Sequence, residues 1–217
     1  KDFTYASDHV YVSGGNSSAH KNLAVMKKEQ IDDFTKLNVD FEDLDLDIRT
    51  SDDDHYYMEY KLEKNGKKDP LTWEDKDGEL TLKESEGGTG GYFITYDLGV
   101  FRTHIEQTQK EDAVNTVILY VPEKAQLLDA EIQLSDGDLT ADQLLCEKMT
   151  AKLSDGDLML DKGVFEKFEA KLGDGDMDVK ELQCTDNMQL KSENGDVSIK
   201  KADLTDGQIA LDDGELQ

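Results

Sequence analysis

The sequence predicts an all-β fold, a solenoid with coils of about 19–20 residues behind a less regular N-terminal half. Three observations predict it: a turn motif that returns at a fixed interval, apolar residues that return in step with it, and a change of composition near residue 122.

The turn motif comes first. Ser-Asp-Gly-Asp-Leu occupies residues 135–139 and again 154–158, and Gly-Asp-Gly-Asp-Met, Glu-Asn-Gly-Asp-Val and Asp-Asp-Gly-Glu-Leu follow at 173–177, 193–197 and 212–216. The central glycines, Gly137, Gly156, Gly175, Gly195 and Gly214, are spaced 19, 19, 20 and 19 residues apart. Asp-Gly and Asn-Gly pairs read as turns, because glycine accepts positive φ and Asp or Asn bonds its own backbone.

The apolar columns come next. Two positions after each glycine stand Leu139, Leu158, Met177, Val197 and Leu216, and four positions after stand Ala141, Leu160, Val179 and Ile199. Nine after come Cys146, Phe165, Cys184 and Leu204; fourteen after come Ala151, Ala170 and Ile209, with Leu190 one later in the longer unit. Mostly polar residues lie between, in short runs of period two, the mark of a strand with one face on a core. In-register stacking of coils selects such columns, whereas a meander of hairpins does not require them.

The composition shift divides the chain. Of sixteen aromatic residues only Phe165 and Phe168 follow Pro122. We therefore expect an N-terminal segment at 1–33 (linker or edge strands), irregular β coils with loop insertions at 34–121, and regular solenoid repeats at 122–217, the last two forming one continuous domain. Strands are expected at 41–48, 56–62, 92–98 and 116–121, and a short helix near 27–37. Residues 77–82 match the turn-plus-strand pattern, with Gly78 standing 59 residues before Gly137, close to three coils.

In this order the motifs resemble the bacterial putative-adhesin family of β-strand repeats, which includes LiaG-like envelope proteins of unassigned activity. The resemblance runs from Phe34, Leu37 and Val39 through the alternating stretch 41–48, residues 77–82, the proline-ended strand 117–122 and the coils from Ser135 onward. It covers about residues 34–217. It implies a right-handed β-helix-like domain, often behind an N-terminal membrane anchor, on the outer side of a bacterial membrane, and it supplies no catalytic residues.

Charge narrows the partners. Fifty acidic and 24 basic residues leave a net charge of -26. Such a surface repels phosphate backbones and anionic membranes, so no nucleic-acid partner is expected. It attracts cations, basic proteins or neutral glycans, and serves solubility as well. No stretch approaches the roughly 20 apolar residues of a membrane span. The chain begins at Lys1, so membrane attachment is expected only through an anchor upstream.

Candidate chemistry follows from the stacking. One turn column would contain Asp138, Asp157, Asp176, Asp196 and Glu215, and a second Asp136, Asp155, Asp174 and Asp213, broken by Asn194. Carboxylates about 5 Å apart repel by about 1 kcal/mol even in water. A calcium ladder would relieve that; solvated, splayed turn residues are the competing reading, since one acidic turn per coil supplies few of the oxygens calcium needs. Apart from calcium no cofactor is expected. Cys146 and Cys184 stand two coils apart, too far for a disulfide, and are expected as buried free thiols. His9, His20, His55 and His104 form no metal-spacing motif, and the glycine-rich 87–91 lacks the lysine and helix of a phosphate loop. Tyr56, Tyr60, Trp73, Tyr92 and Tyr96 are candidates for a binding surface, against the alternative of cross-strand packing in the irregular half.

The reading that results is a non-enzymatic extracytoplasmic module, an adhesin or interaction domain of a bacterial envelope, anchored or secreted, with a protein or glycan at the cell surface as partner. A sensory ectodomain of an envelope-stress system is the alternative, and a polysaccharide-acting β-helix enzyme the outsider.

Overall fold

The computed structural model describes residues 22–64, 66–86 and 114–217. Among them every regular element is a strand, and the fourteen strands form one sheet. The first half holds β1 (Leu23–Gln30), β2 (Lys36–Phe41), β3 (Asp45–Ser51), β4 (Tyr57–Glu63), β5 (Leu71–Lys76), β6 (Glu79–Glu84) and β7 (Thr116–Pro122). The second holds β8 (Leu127–Leu134), β9 (Leu139–Leu153), β10 (Leu158–Leu172), β11 (Met177–Ser192), β12 (Val197–Ile199), β13 (Ala202–Leu204) and β14 (Gly207–Leu211).

The long strands of the second half are coils. β10 pairs in parallel with β9 on one side and β11 on the other, with Leu158 opposite both Leu139 and Met177 and Phe165 opposite both Cys146 and Cys184. A continuous chain that meets itself in parallel one unit later must complete a circuit in each unit. Burial shows how it bends. In β9 the inward residues are Leu139 and Ala141, then Leu144 and Cys146, then Met149, Ala151 and Leu153. The step is two along each straight run and three between runs, so the strand turns two corners and presents three flat sides. The extra residue of the longer unit lies at the second corner of β11: the register moves from Phe165↔Cys184 to Lys167↔Asn187. That slip aligns Leu190 with Ala170, restoring the column.

The columns fill one core. A single cluster of buried side chains runs from Ala24 to Val197. Gly163 stands between Leu144 and Leu182 in the stack, and a Cβ there would come within 2.5 Å of the Phe165 ring. The missing side chain makes room for Phe165, whose ring stacks on Phe168 at 4.9 Å between centroids. Fully burying a ring of this size contributes about 1.5–3 kcal/mol.

The first half divides into two ladders that meet on β9. The start of β9 pairs with β3, and from there the order continues through β7, β4 and β1. The end of β9 pairs with β8, and from there the order continues through β2, β6 and β5. Both ladders close with antiparallel strands, β4 and β1 on one side and β5 on the other.

Three expectations change here. The helix near 27–37 is absent: β1 and the start of β2 occupy its two ends, joined by an irregular link at 31–35. Lys27, Lys28, Glu29 and Gln30 favour a helix locally, but pairing of β1 with β4 overrides that preference, with a bulge between Met26 and Glu29. The alternating stretch 41–48 is not one strand; it is broken at 42–44 by the first coil's turn. Asp77 and Gly78, at φ 54° and 77°, form the tight turn of the β5–β6 hairpin rather than a coil corner. The expected strand at 92–98 lies outside the described residues.

Candidate functional site

The turns between coils bring the repeated aspartates together along one edge of the solenoid. β2 and β3 lie directly above β8 and β9, so the turn at 42–45 stacks on the turn at 135–138. The inner column therefore begins with Asp45 and continues through Asp138, Asp157, Asp176, Asp196 and Glu215. Each carboxylate accepts a hydrogen bond from the backbone N–H of the next member. Asp138 donates to Asp45 Oδ1 at 3.0 Å, Asp157 to Asp138 Oδ1 at 2.9 Å, and Asp176 to Asp157 Oδ1 at 2.8 Å. Asp196 donates to Asp176 Oδ1 at 2.8 Å and Glu215 to Asp196 Oδ1 at 2.9 Å. This is a ladder of side chain to main chain, running alongside the strand ladder and bolting each turn to the previous one.

The central glycines serve the same stack. None of the repeat glycines has positive φ; among the described glycines only Gly66 and Gly78 do. A Cβ on Gly156 would lie 2.0 Å from the carbonyl oxygen of Gly137, one on Gly175 1.9 Å from that of Gly156, and one on Gly195 1.9 Å from that of Gly175. Glycine is required because each turn rests on the backbone of the turn before, which corrects the expectation that it supplies positive φ. The first turn has none before it, and Leu44 stands in the glycine's place, fully buried. There Glu84 closes the stack: its Oε2 accepts N–H bonds from Glu42 and Asp43 at 2.8 Å and from Leu44 at 3.2 Å.

The electrostatics follow burial. Burial pushes Asp45 up to about 6, opposed by the Asp138 N–H bond and assisted by the neighbouring Asp138 carboxylate. Asp157 is raised for the same first cause, with Asp138 and Asp176 flanking it. The outer column, Asp136, Asp155 and Asp174, is exposed. It continues to Asn194, whose side-chain amide donates to Asp174 Oδ1 at 2.5 Å. Thus six of the expected ligands fall in two unlike environments, Asp138, Asp157 and Asp176 engaged by amides and Asp136, Asp155 and Asp174 facing water. Among the described residues no group of three or more His, Cys, Asp or Glu is arranged to hold a metal ion.

The thiols are interior. Cys146 and Cys184 are buried and free, one on each side of Phe165. Burial pushes Cys146 up to about 12 and raises Cys184. Both donate to backbone carbonyls, of Lys148 at 3.0 Å and Glu166 at 3.2 Å.

The expected aromatic surface does not assemble among the described residues. Tyr56 is buried, its ring 4.8 Å from that of Phe34. Tyr60 and Trp73 pack against the core from β4 and β5, near opposite ends of the strand order, while Tyr92 and Tyr96 lie outside the described residues. The outward aromatics are Tyr57 and Tyr120, direct partners across β4 and β7. Lys28 Nζ sits 3.8 Å from the Tyr120 ring centre and 4.9 Å from that of Tyr57. Their hydroxyls donate to Glu59 at 2.8 Å and Asp53 at 2.7 Å respectively. The alternation Tyr56, Met58, Tyr60, Leu62 marks the inward face of β4 and leaves Tyr57 outward; Tyr120 had no such signal, since its neighbours in β7, Val117 to Leu119 and Val121, are all apolar. His55 lies exposed beside Asp53, and the other three histidines lie outside the described residues.

Comparison with known proteins adds the following. The sequence profile of one family, Toastrack DUF4097, matches residues 34–217. No curated protein matches the chain. Among solved structures, a "putative cell adhesion protein" from Clostridium sporogenes is 12% identical, with 91% of this chain and 100% of that one covered and a TM-score of 0.36. A "putative adhesin" from Bacteroides fragilis is 13% identical, covering 90% and 96%, at 0.35. A "putative lipid binding protein" from Parabacteroides distasonis is 11% identical, covering 91% and 98%, at 0.31. Likeness at this level decides neither ligand nor activity.

Proposed function

The chain belongs to the Toastrack DUF4097 family, and from that premise we propose that it is a non-enzymatic binding module, adhesin-like, working outside the cytoplasmic membrane of a bacterium behind an N-terminal anchor. The observation that carries this reading is how the repeated residues are used. The inner carboxylates bond amides of the next turn, the glycines carry the previous turn, and the thiols fill the core. What the repeats offer to solvent is a set of flat sides ruled by columns of side chains. Such a body suits display and recognition of an extended partner, with a protein or glycan of the cell surface as the partner class. Right-handed coils belong to the same proposal, because a parallel strand-to-strand crossover takes that hand in nearly all sheets.

Two measurements test it. Incubating the full chain with bacterial envelope fractions should deposit it on one of them without releasing soluble fragments; steady release of fragments would make it an enzyme. Treating intact source cells with protease should degrade the protein; protection until the cells are lysed would place it inside.

A further inference from the structure

The net charge of -26 conceals an uneven distribution. The turn edge is almost wholly acidic. The side next to it, formed by the last straight run of each coil, is not. Here Lys148 lies directly opposite Lys167, and Lys152, Lys171 and Lys191 follow one another in register on β9, β10 and β11. Like charges directly opposite one another across strands are destabilising, and on another side the register sets Lys162 opposite Glu181 instead. Lys180 pairs with Asp161 at 2.7 Å and Lys201 with Glu181 at 3.3 Å, each one coil away. Glu169, between the columns, lies in the field of Lys148, Lys152 and Lys171 and offsets part of their repulsion, but on this side the lysines outnumber it.

Between the lysine columns runs a third, in which Glu131, the buried Thr150, Glu169, Gln189 and Gln208 follow in register, the last two exposed amides. It ends in a shallow groove of about 290 Å³ lined by Asn187, Gln189, Asp206, Gly207 and Gln208. Ion pairs of the lysines are superficial: Lys171 to Glu169 at 2.7 Å, Lys191 to Glu193 at 3.3 Å and Asp212 at 3.6 Å, Lys167 to Asp186 at 3.5 Å and Lys152 to Glu131 at 3.9 Å. Exposed pairs of this kind are held by about 0–1 kcal/mol, so an incoming anion exchanges with them cheaply.

We propose that this lysine-ruled side binds a linear polyuronate, a glycan with one carboxylate per sugar, laid along the coil axis. The proposal rests on the binding role argued above. Coils rise by about 4.8 Å, close to the length of one sugar residue in an extended chain, so the carboxylates along one edge of the chain fall in step with the coils. The amide column offers donors and acceptors to the hydroxyls between them, and the groove receives the chain end.

The test is titration of the full chain with galacturonate oligomers and with a neutral glucan oligomer of the same length, at low and physiological ionic strength, with oligomer length followed by mass spectrometry. Saturable binding of galacturonate that weakens with salt and exceeds glucan binding is expected. The triple variant Lys152→Glu, Lys171→Glu, Lys191→Glu should lose at least about tenfold in affinity, three exposed ion contacts' worth. The Lys→Gln triple variant provides the same readout should the first unfold. Lys162→Glu with Lys201→Glu, on another side, should stay within about twofold of wild type. Absence of galacturonate binding, equal binding of glucan, or wild-type affinity in the triple variants overturns the surface, and does so even where the chain still binds an envelope fraction. Shortened oligomers would instead overturn the non-enzymatic reading.

Discussion

Leu44 and Gly137 hold the same place in consecutive turns, one with a large buried side chain and the other with none. The difference is only what lies before them. Ahead of Gly137 is the Leu44 carbonyl, 2.0 Å from where a Cβ would stand; ahead of Leu44 is the Glu84 carboxylate, which accepts that turn's amides. The first half of the molecule is thus the terminated end of the stack, where side chains and antiparallel strands finish what the coils continue. In the second half the backbone of each coil is itself the surface on which the next is built. Sequence regularity is strong where the neighbour is another coil and disappears where it is a hairpin.

Breaking that distinction should have its largest effect at a glycine. Gly156→Ala drives a Cβ into the Gly137 carbonyl, and we expect it to cost about 3 kcal/mol or more, the upper range of overpacking. Gly66→Ala, with open space around it but φ at 84°, should cost about 1 kcal/mol, from backbone strain alone. Denaturant unfolding of the two variants separates them; equal costs would mean the repeat glycines do not carry the stack.

The next effect in size is at the top of the ladder. Asp45 titrates near 6 in the fold against 3.8 when free, so its ionised form opposes folding. The sign follows: the penalty is fully present above about pH 6 and is relieved as pH falls towards 3.8. From Asp45 alone, stability should rise by about 2 kcal/mol between pH 7 and pH 4, after allowance for its partial solvent contact. Asp45→Asn should abolish that rise while keeping an acceptor for the Asp138 N–H. Urea titrations of both proteins across this range are the check, and an unchanged pH profile in the variant would contradict the assignment.

How much of this was legible beforehand depends on the neighbour. The coil length, the inward columns, the position of the free thiols and the two aspartate columns are all consequences of a chain stacking on itself, so spacing alone reveals them. The role of the glycines was not legible: Asp-Gly is equally the signature of a positive-φ turn, and only the distance from Gly156 to Gly137 separates the two causes. The first turn escaped notice because Leu44 replaces the marker, and the helix expected at 27–37 because β1 takes its conformation from β4. The outward Tyr120 is hidden in an apolar strand, and the lysine side is invisible to a net charge that sums over all sides.

A smaller and slower readout concerns the thiols. Cys146 and Cys184 are buried with raised pKa values, so neither should react with a thiol reagent at pH 8 on the time scale of minutes, and both should react on unfolding. Prompt reaction of one in the native protein would show that the coils near Phe165 open.

The most direct test of the central claim, that the inner aspartates are the bolts of the stack and the outer ones are not, is the unfolding free energy of Asp157→Ala against Asp155→Ala, each measured with calcium and with chelator. We expect Asp157→Ala to lose about 1–2 kcal/mol, the cost of stripping an amide of its partner, Asp155→Ala to stay within about 0.5 kcal/mol of wild type, and calcium to move neither. Equal losses at both positions, or a calcium-dependent stability that either substitution removes, would contradict the account and make the two columns a metal site.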